Sequence, residues 1–193
     1  MIRKLYDWTM SLAAHRYAPA GLFGVAFIES SFFPIPPLIM LIPMVLENKS
    51  KAWFYALICT IGSVLGGLFG YFVGAVLFDI LGKPILDLYG YAAKFDTFAA
   101  KYNDYGAWAV LFAGITPFPY KVITIASGAT GLSLAVFTAA SIVARAIQFF
   151  VVAGLLYWFG PPIREFIERR LGLVFTVFMV LLIGGFVSVK YLV

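Results

Sequence analysis

The sequence predicts an all-α integral membrane protein built as an inverted repeat. Each half is a re-entrant hairpin followed by a transmembrane helix, and interfacial amphipathic helices and a C-terminal transmembrane helix complete the chain. Three observations predict it. Of the 193 residues, 63% are hydrophobic and only 12% charged, which lies outside the range of soluble domains. Two apolar stretches are broken in the middle by closely spaced prolines, first at Pro34, Pro36 and Pro37 and again at Pro117 and Pro119. The two breaks are also related: Pro34 and Pro117, Pro36 and Pro119, and Phe54 and Phe137 all keep one sequence offset.

The first broken stretch, Phe27 to Pro43, sets the topology. A helix crossing hydrocarbon needs about 20 apolar residues, and each arm beside these prolines offers about 15. Neither arm spans alone. Proline removes a backbone donor and restricts the residue before it, so a straight helix through Ile35 to Pro37 is not expected. A hairpin that enters the bilayer, turns at the prolines and leaves on the same side fits the lengths. Broken backbone at that depth needs cover from protein or a wet cavity. The second copy of the same unit is the expected cover.

In chain order, residues 3–17 alternate polar and apolar positions at helical spacing, as an interfacial helix does. No cleavable signal peptide is expected, because the first long apolar run starts near Pro19 and lacks the small-residue exit. Repeat 1 occupies 18–82: the hairpin, a polar loop from Glu47 to Lys51, and a charge-free span from Trp53 to Phe78. Within that span Gly62, Gly66, Gly70 and Gly74 recur every fourth residue and predict a stripe for close helix packing. Residues 84–105 read as a second interfacial helix, with Ile85, Leu88, Ala92, Phe95, Ala99 and Tyr102 on one face and Asp87, Lys94, Lys101 and Asp104 facing away. Repeat 2 occupies 107–160, with the hairpin to Ala129 and a span from Ala135 to Phe159. The endings GKPI at Gly82 and GPPI at Gly160 match after one gap. A last transmembrane helix is expected over 171–190, all within a single membrane domain.

Each repeat crosses an odd number of times, so the second copy is inverted, as in transporters whose broken helices meet at the midplane. The positive-inside rule agrees. With the N-terminus cytoplasmic, Arg3, Lys4, Arg16, Lys49, Lys51, Arg164, Arg169 and Arg170 fall inside, against Lys83, Lys94, Lys101 and Lys190 outside. The net charge of +5 is scattered between apolar runs, so nucleic acid is not an expected partner. Cys59, the single cysteine, lies in an apolar run and reads as a small buried hydrophobe; neither a disulfide within the chain nor a metal or other cofactor is expected.

Three ionisable residues are set inside apolar runs: Glu29, Lys121 and Arg145. A charge at bilayer depth costs about 3 kcal/mol even on lenient scales, so such residues face a protein interior or wet cavity and have partners. The plainest reading is a salt bridge of Glu29 with Lys121 or Arg145 that fixes packing. The functional reading is that two cations against one carboxylate leave a positive surplus suited to an anionic ligand such as a phosphate. Glu29 is also a candidate for exchanging protons, with burial and nearby cations pulling its affinity in opposite directions.

At these residues the chain resembles the DedA family, bacterial membrane proteins of the VTT superfamily whose eukaryotic relatives include endoplasmic-reticulum lipid scramblases; the YqaA-like branch is most similar. FIESSFFPIPP is similar to the family's glutamate followed by a proline turn, and GITPFPYKVITIASG to its second hairpin. The resemblance covers about Pro19 to Gly160 and implies that Glu29 is the essential membrane acid and Lys121 the basic residue after the proline. It also implies movement of a phosphate-bearing lipid, such as undecaprenyl phosphate or a phospholipid, across the bacterial inner membrane, with protons as a possible coupled partner. Two features depart from the family. A second acid is absent where this chain has Pro37, Leu38 and Ile39, and an arginine is absent at Gly114 to Thr116.

Enzymatic chemistry is not expected: His15 is the single histidine, far from the hairpins, and metal hydrolysis or serine proteolysis needs a base beside the site. The alternative to transport is a scaffold that assembles other membrane proteins. It predicts that Glu29, Lys121 and Arg145 are replaceable as a set by apolar residues.

Overall fold

A computed structural model describes residues 17–31, 36–116, 119–160 and 162. The described residues form helices α1 (Ala18–Ser31), α2 (Leu38–Glu47), α3 (Ala52–Leu77), α4 (Lys83–Tyr89), α5 (Ala92–Ile115) and α6 (Tyr120–Ala129). A last described helix, α7, covers Leu134–Gly160. Residues 3–16 of the interfacial helix expected over 3–17, the terminal span expected over 171–190, and Pro34 and Pro117 lie outside the described residues.

α3 and α7 are the described helices long and apolar enough to cross a membrane. Outward-facing residues of α3 recur every three or four positions as Phe54, Leu57, Ile61, Leu65, Phe69 and Phe72, all exposed. An apolar stripe of that length matches hydrocarbon, not water. α1 has 14 residues and α2 has 10, about 21 Å and 15 Å at helical rise, both short of a hydrocarbon core of about 30 Å. Their sequence connection is short, and Ala18 and Leu22 at the start of α1 share a core with Leu41, Met44 and Val45 of α2. The start of α1 therefore packs against the middle and end of α2.

Small residues on α3 decide what packs there. A β-carbon at Gly62 would lie 2.7 Å from the Phe23 carbonyl oxygen, and one at Gly66 would fall onto the Phe27 carbonyl. One at Gly70 would meet Thr124 Oγ1 at 2.5 Å, and one at Gly74 would fall onto the Ile125 carbonyl. The first pair of glycines thus admits α1, and the second pair admits α6. Contacts advance in the same direction along both partners, so α1 and α6 lie end to end on one face of α3. They meet where Thr124 Oγ1 donates to the Ser30 carbonyl at 3.4 Å. α7 runs antiparallel to α3, from Tyr71 beside Phe137 (ring centroids 5.2 Å apart) to Trp53 stacked on Phe150 (6.0 Å).

Gly66→Leu is therefore expected to cost about 3 kcal/mol or more through overpacking. Monodisperse protein in detergent extracts should be largely lost. Gly24→Leu, where nothing lies within 4 Å of the added carbon, should extract normally. Equal yields would contradict the packing described.

The structure departs from the expected boundaries between the halves. Helical structure does not stop at Gly82; it runs from Lys49 to Tyr89 through a π turn at Phe78–Gly82. There Lys83 N–H bonds the Phe78 carbonyl five residues back, and this wider turn accommodates Pro84, which has no N–H and would crowd an ordinary α turn. The true break is Gly90, left-handed at φ 68°, where Gly90 N–H bonds Asp87 and Tyr91 N–H bonds Leu86 in a Schellman cap. The segment 84–105 is accordingly not one interfacial helix. Its second part is continuous with the apolar stretch that runs to Ile115, because Gly106 is buried under Leu132 inside α5 and ends nothing.

Candidate functional site

Two apolar clusters fill the bundle. One gathers Leu22, Leu41, Met44, Cys59 and Phe149; the other gathers Val110, Tyr120, Leu132, Phe137 and Ala140. Between them on α3 and α7 lie Ser63 and Arg145, and the end of α1 brings Glu29 and Ser30 to the same place.

Arg145 is only 3% exposed, and each of its three nitrogens is used. Nη2 donates to Glu29 Oε2 at 2.8 Å and to Ser30 Oγ at 3.3 Å, Nη1 donates to Gln148 Oε1 at 2.9 Å, and Nε donates to Ser63 Oγ. Its guanidinium carbon sits 4.6 Å from the Tyr120 ring centroid and 4.9 Å from that of Phe149, so aromatic faces cover the cation. Ser30 Oγ and Ser63 Oγ are 2.6 Å apart, and Ser30 Oγ donates to Glu29 Oε2 at 3.1 Å. Tyr120 is held in turn by its hydroxyl donating to Ser141 Oγ at 2.5 Å. The Glu29 side chain keeps 17% of its exposure, so the carboxylate is the more open member of the pair.

Local sequence explains the assembly. Ser63 stands between Gly62 and Gly66, where α1 approaches closest, and that approach brings Ser30 within hydrogen-bond reach. Ser141, Gln148 and Phe149 lie at i−4, i+3 and i+4 from Arg145, on one face of α7. The C-terminal end of α1 directs partial negative charge toward this region, which favours a buried cation there.

Of the sequence candidates, Glu29 and Arg145 are joined. Lys121 stands apart: it is half-buried in the first turn of α6, and among the described residues its ammonium has no ion pair or hydrogen bond. Pro36, Pro37 and Pro119 sit at the helix starts, Pro37 and Pro119 directly preceding α2 and α6. Gly62, Gly66, Gly70 and Gly74 are all buried against α1 or α6. Sequence reasoning missed Ser30, Ser63, Gln148, Tyr120 and Ser141. The available signal was polar side chains at one-turn spacing from Arg145 and a serine interrupting the glycine stripe.

The VTT domain family matches residues 33–158. An uncharacterized protein of Haemophilus influenzae is 37% identical over 168 residues, covering 85% of this chain and 87% of its own length. A homologous uncharacterized protein of Histophilus somni is 36% identical over the same span and with the same coverage. No solved structure matches. With most of the chain inside the family match and apolar helices suited to a bilayer, the protein belongs to the VTT-domain family of DedA membrane proteins.

Proposed function

We propose that this protein moves lipids with a phosphate headgroup across the bacterial cytoplasmic membrane, through a polar site at the bilayer centre between two re-entrant hairpins. The observation that carries this reading is the buried Glu29–Arg145 pair with a further cation, Lys121, left without an anion on the adjacent helix. The three groups leave a positive surplus, which is the complement of a phosphate. Uncompensated charge within a membrane is costly, and its retention there argues for a task.

The depth of the site supports this. Trp53 lies edge to face with Trp158 at 6.3 Å, beside Tyr157, as an aromatic belt at one end of the bundle. Ser63 lies about 15 Å along α3 from that belt at helical rise, half of a hydrocarbon core of about 30 Å. The contacts also support an inverted repeat. α1 lies along α3 in the first half as the end of α5 lies along α7 in the second, with Gly114 against Ala144. α6 packs on α3 while α2 shares its core with Phe149, Ala153 and Leu156 of α7. Exchanging the halves exchanges these contacts.

The mechanism needs no covalent step. A headgroup crossing bare hydrocarbon loses its hydration, and a site with fixed donors replaces it while the tails stay in lipid. Glu29 holds Arg145 in the absence of cargo; an arriving phosphate competes for the guanidinium, and Lys121 supplies the second positive charge. Protonation of Glu29 would release Arg145 to the phosphate, which gives proton coupling a physical basis. Proteoliposomes test the reading: a phosphate-bearing lipid should cross faster than a neutral lipid of matched tails. Equal rates for the two, or rates no greater than in empty vesicles, would refute it.

A further inference from the structure

α5 carries a second surface that the polar site does not use. Tyr91, just before the helix, and Phe98, Tyr105 and Phe112 within it recur at every seventh residue, and all are at least half exposed. Lys94, Lys101, Trp108 and Ile115 recur at the same interval between them, also exposed. The two sets form one stripe in a single register. It flanks the packed face made by Phe95, Ala99, Tyr102, Gly106 and Val110. Lys94 Nζ sits 4.9 Å from the Tyr91 ring centroid, so lysine and aromatic side chains share the surface.

At the hairpin end of α5 this stripe is Trp108, Phe112 and Ile115, which suit acyl chains. Toward Tyr91 the register is unchanged, but lysines replace the apolar partners. We infer that the Tyr91-to-Tyr105 part of the stripe is a docking surface for anionic lipid headgroups, continuous with the face that the second hairpin turns to the acyl chains. Tyrosine and phenylalanine rings suit the headgroup level, and lysine stems lie along apolar surface while their ammonium groups reach lipid phosphates. Charge complementarity selects lipid over a second copy, because two such stripes facing each other would bring lysines together. Asp96 stands on a different side of α5, and Asp104 lies at the border of the stripe. The reading reverses the sequence expectation, in which the lysine-bearing side faced away from lipid.

Spin labels on the full-length protein in liposomes test this. A label at Phe98→Cys in a Cys59→Ala background is measured by collision with a nickel-chelating lipid and with a water-soluble nickel complex. A label at Thr97→Cys, one turn from both lysines, keeps the Phe98 ring, and Ala100→Cys reports another side of the helix. In phosphatidylglycerol membranes the labels at 97 and 98 should collide with the chelating lipid several-fold more than in phosphatidylcholine. Adding Lys94→Gln and Lys101→Gln should remove that difference, while position 100 stays open to water throughout. Equal lipid contact in both membranes would leave the lysines without a role and overturn the inference. So would full water exposure in both, or shielding from both reagents, which would mean that protein covers the stripe.

Discussion

Arg145→Ala is expected to lower the amount of folded protein sharply, by about 3–5 kcal/mol of stability, because it leaves Glu29 and the Ser30–Ser63 pair in a buried setting without their cation. Removing both charges tests that cause. Glu29→Leu with Arg145→Leu takes away the stranded carboxylate, so abundance and thermal stability should return close to wild type while lipid transport stays absent. Fluorescence-detected size-exclusion chromatography after a heating series reads the stability, and proteoliposomes read the transport. A double variant that transports at the wild-type rate would assign the pair to packing alone and favour a scaffold. A single Arg145→Ala variant as stable as wild type would contradict the buried network itself.

Lys121→Ala is expected to behave in the opposite way. Its ammonium has no partner among the described residues, so deletion strands nothing and abundance should be unchanged. Transport of a phosphate-bearing lipid should fall by about tenfold or more, the scale of one lost charge-assisted contact of about 1.5–3 kcal/mol. Lys121→Arg should restore much of the rate. Loss of abundance without loss of specific activity would make Lys121 structural.

The contrast between these two residues shows how far the sequence carries the fold and the site. Glu29, Lys121 and Arg145 were legible one by one, because a charge inside an apolar run stands out in composition. Which of the cations meets Glu29 was not legible, since that depends on Arg145 and Glu29 being brought together by α3, to which neither belongs. The glycine stripe was legible as a period of four, but its division between α1 and α6 was not; nothing in the four glycines says that two short helices share their face. The hydroxyl groups were missed because serine in a membrane helix satisfies itself on its own backbone as readily as on a neighbour, as Thr60 does on the Ala56 carbonyl. The boundary near Gly106 failed for a physical reason as well. Composition changes there from charged to apolar, yet the backbone continues as one helix, because the change marks what surrounds α5 and not where it ends.

In the proposed arrangement the two proline-broken segments re-enter from opposite sides and bring the charged site between them. Ser50 and Ser133 are both exposed, one just before α3 and the other just before α7. Single cysteines at these positions in a Cys59→Ala background, labelled in intact cells by a membrane-impermeant maleimide, distinguish this arrangement from full crossings. Ser133→Cys should react from outside, and Ser50→Cys should react only after the membrane is opened. Reaction of both from the same side would mean that a broken segment crosses the bilayer completely, and the inverted arrangement with its central site would be wrong.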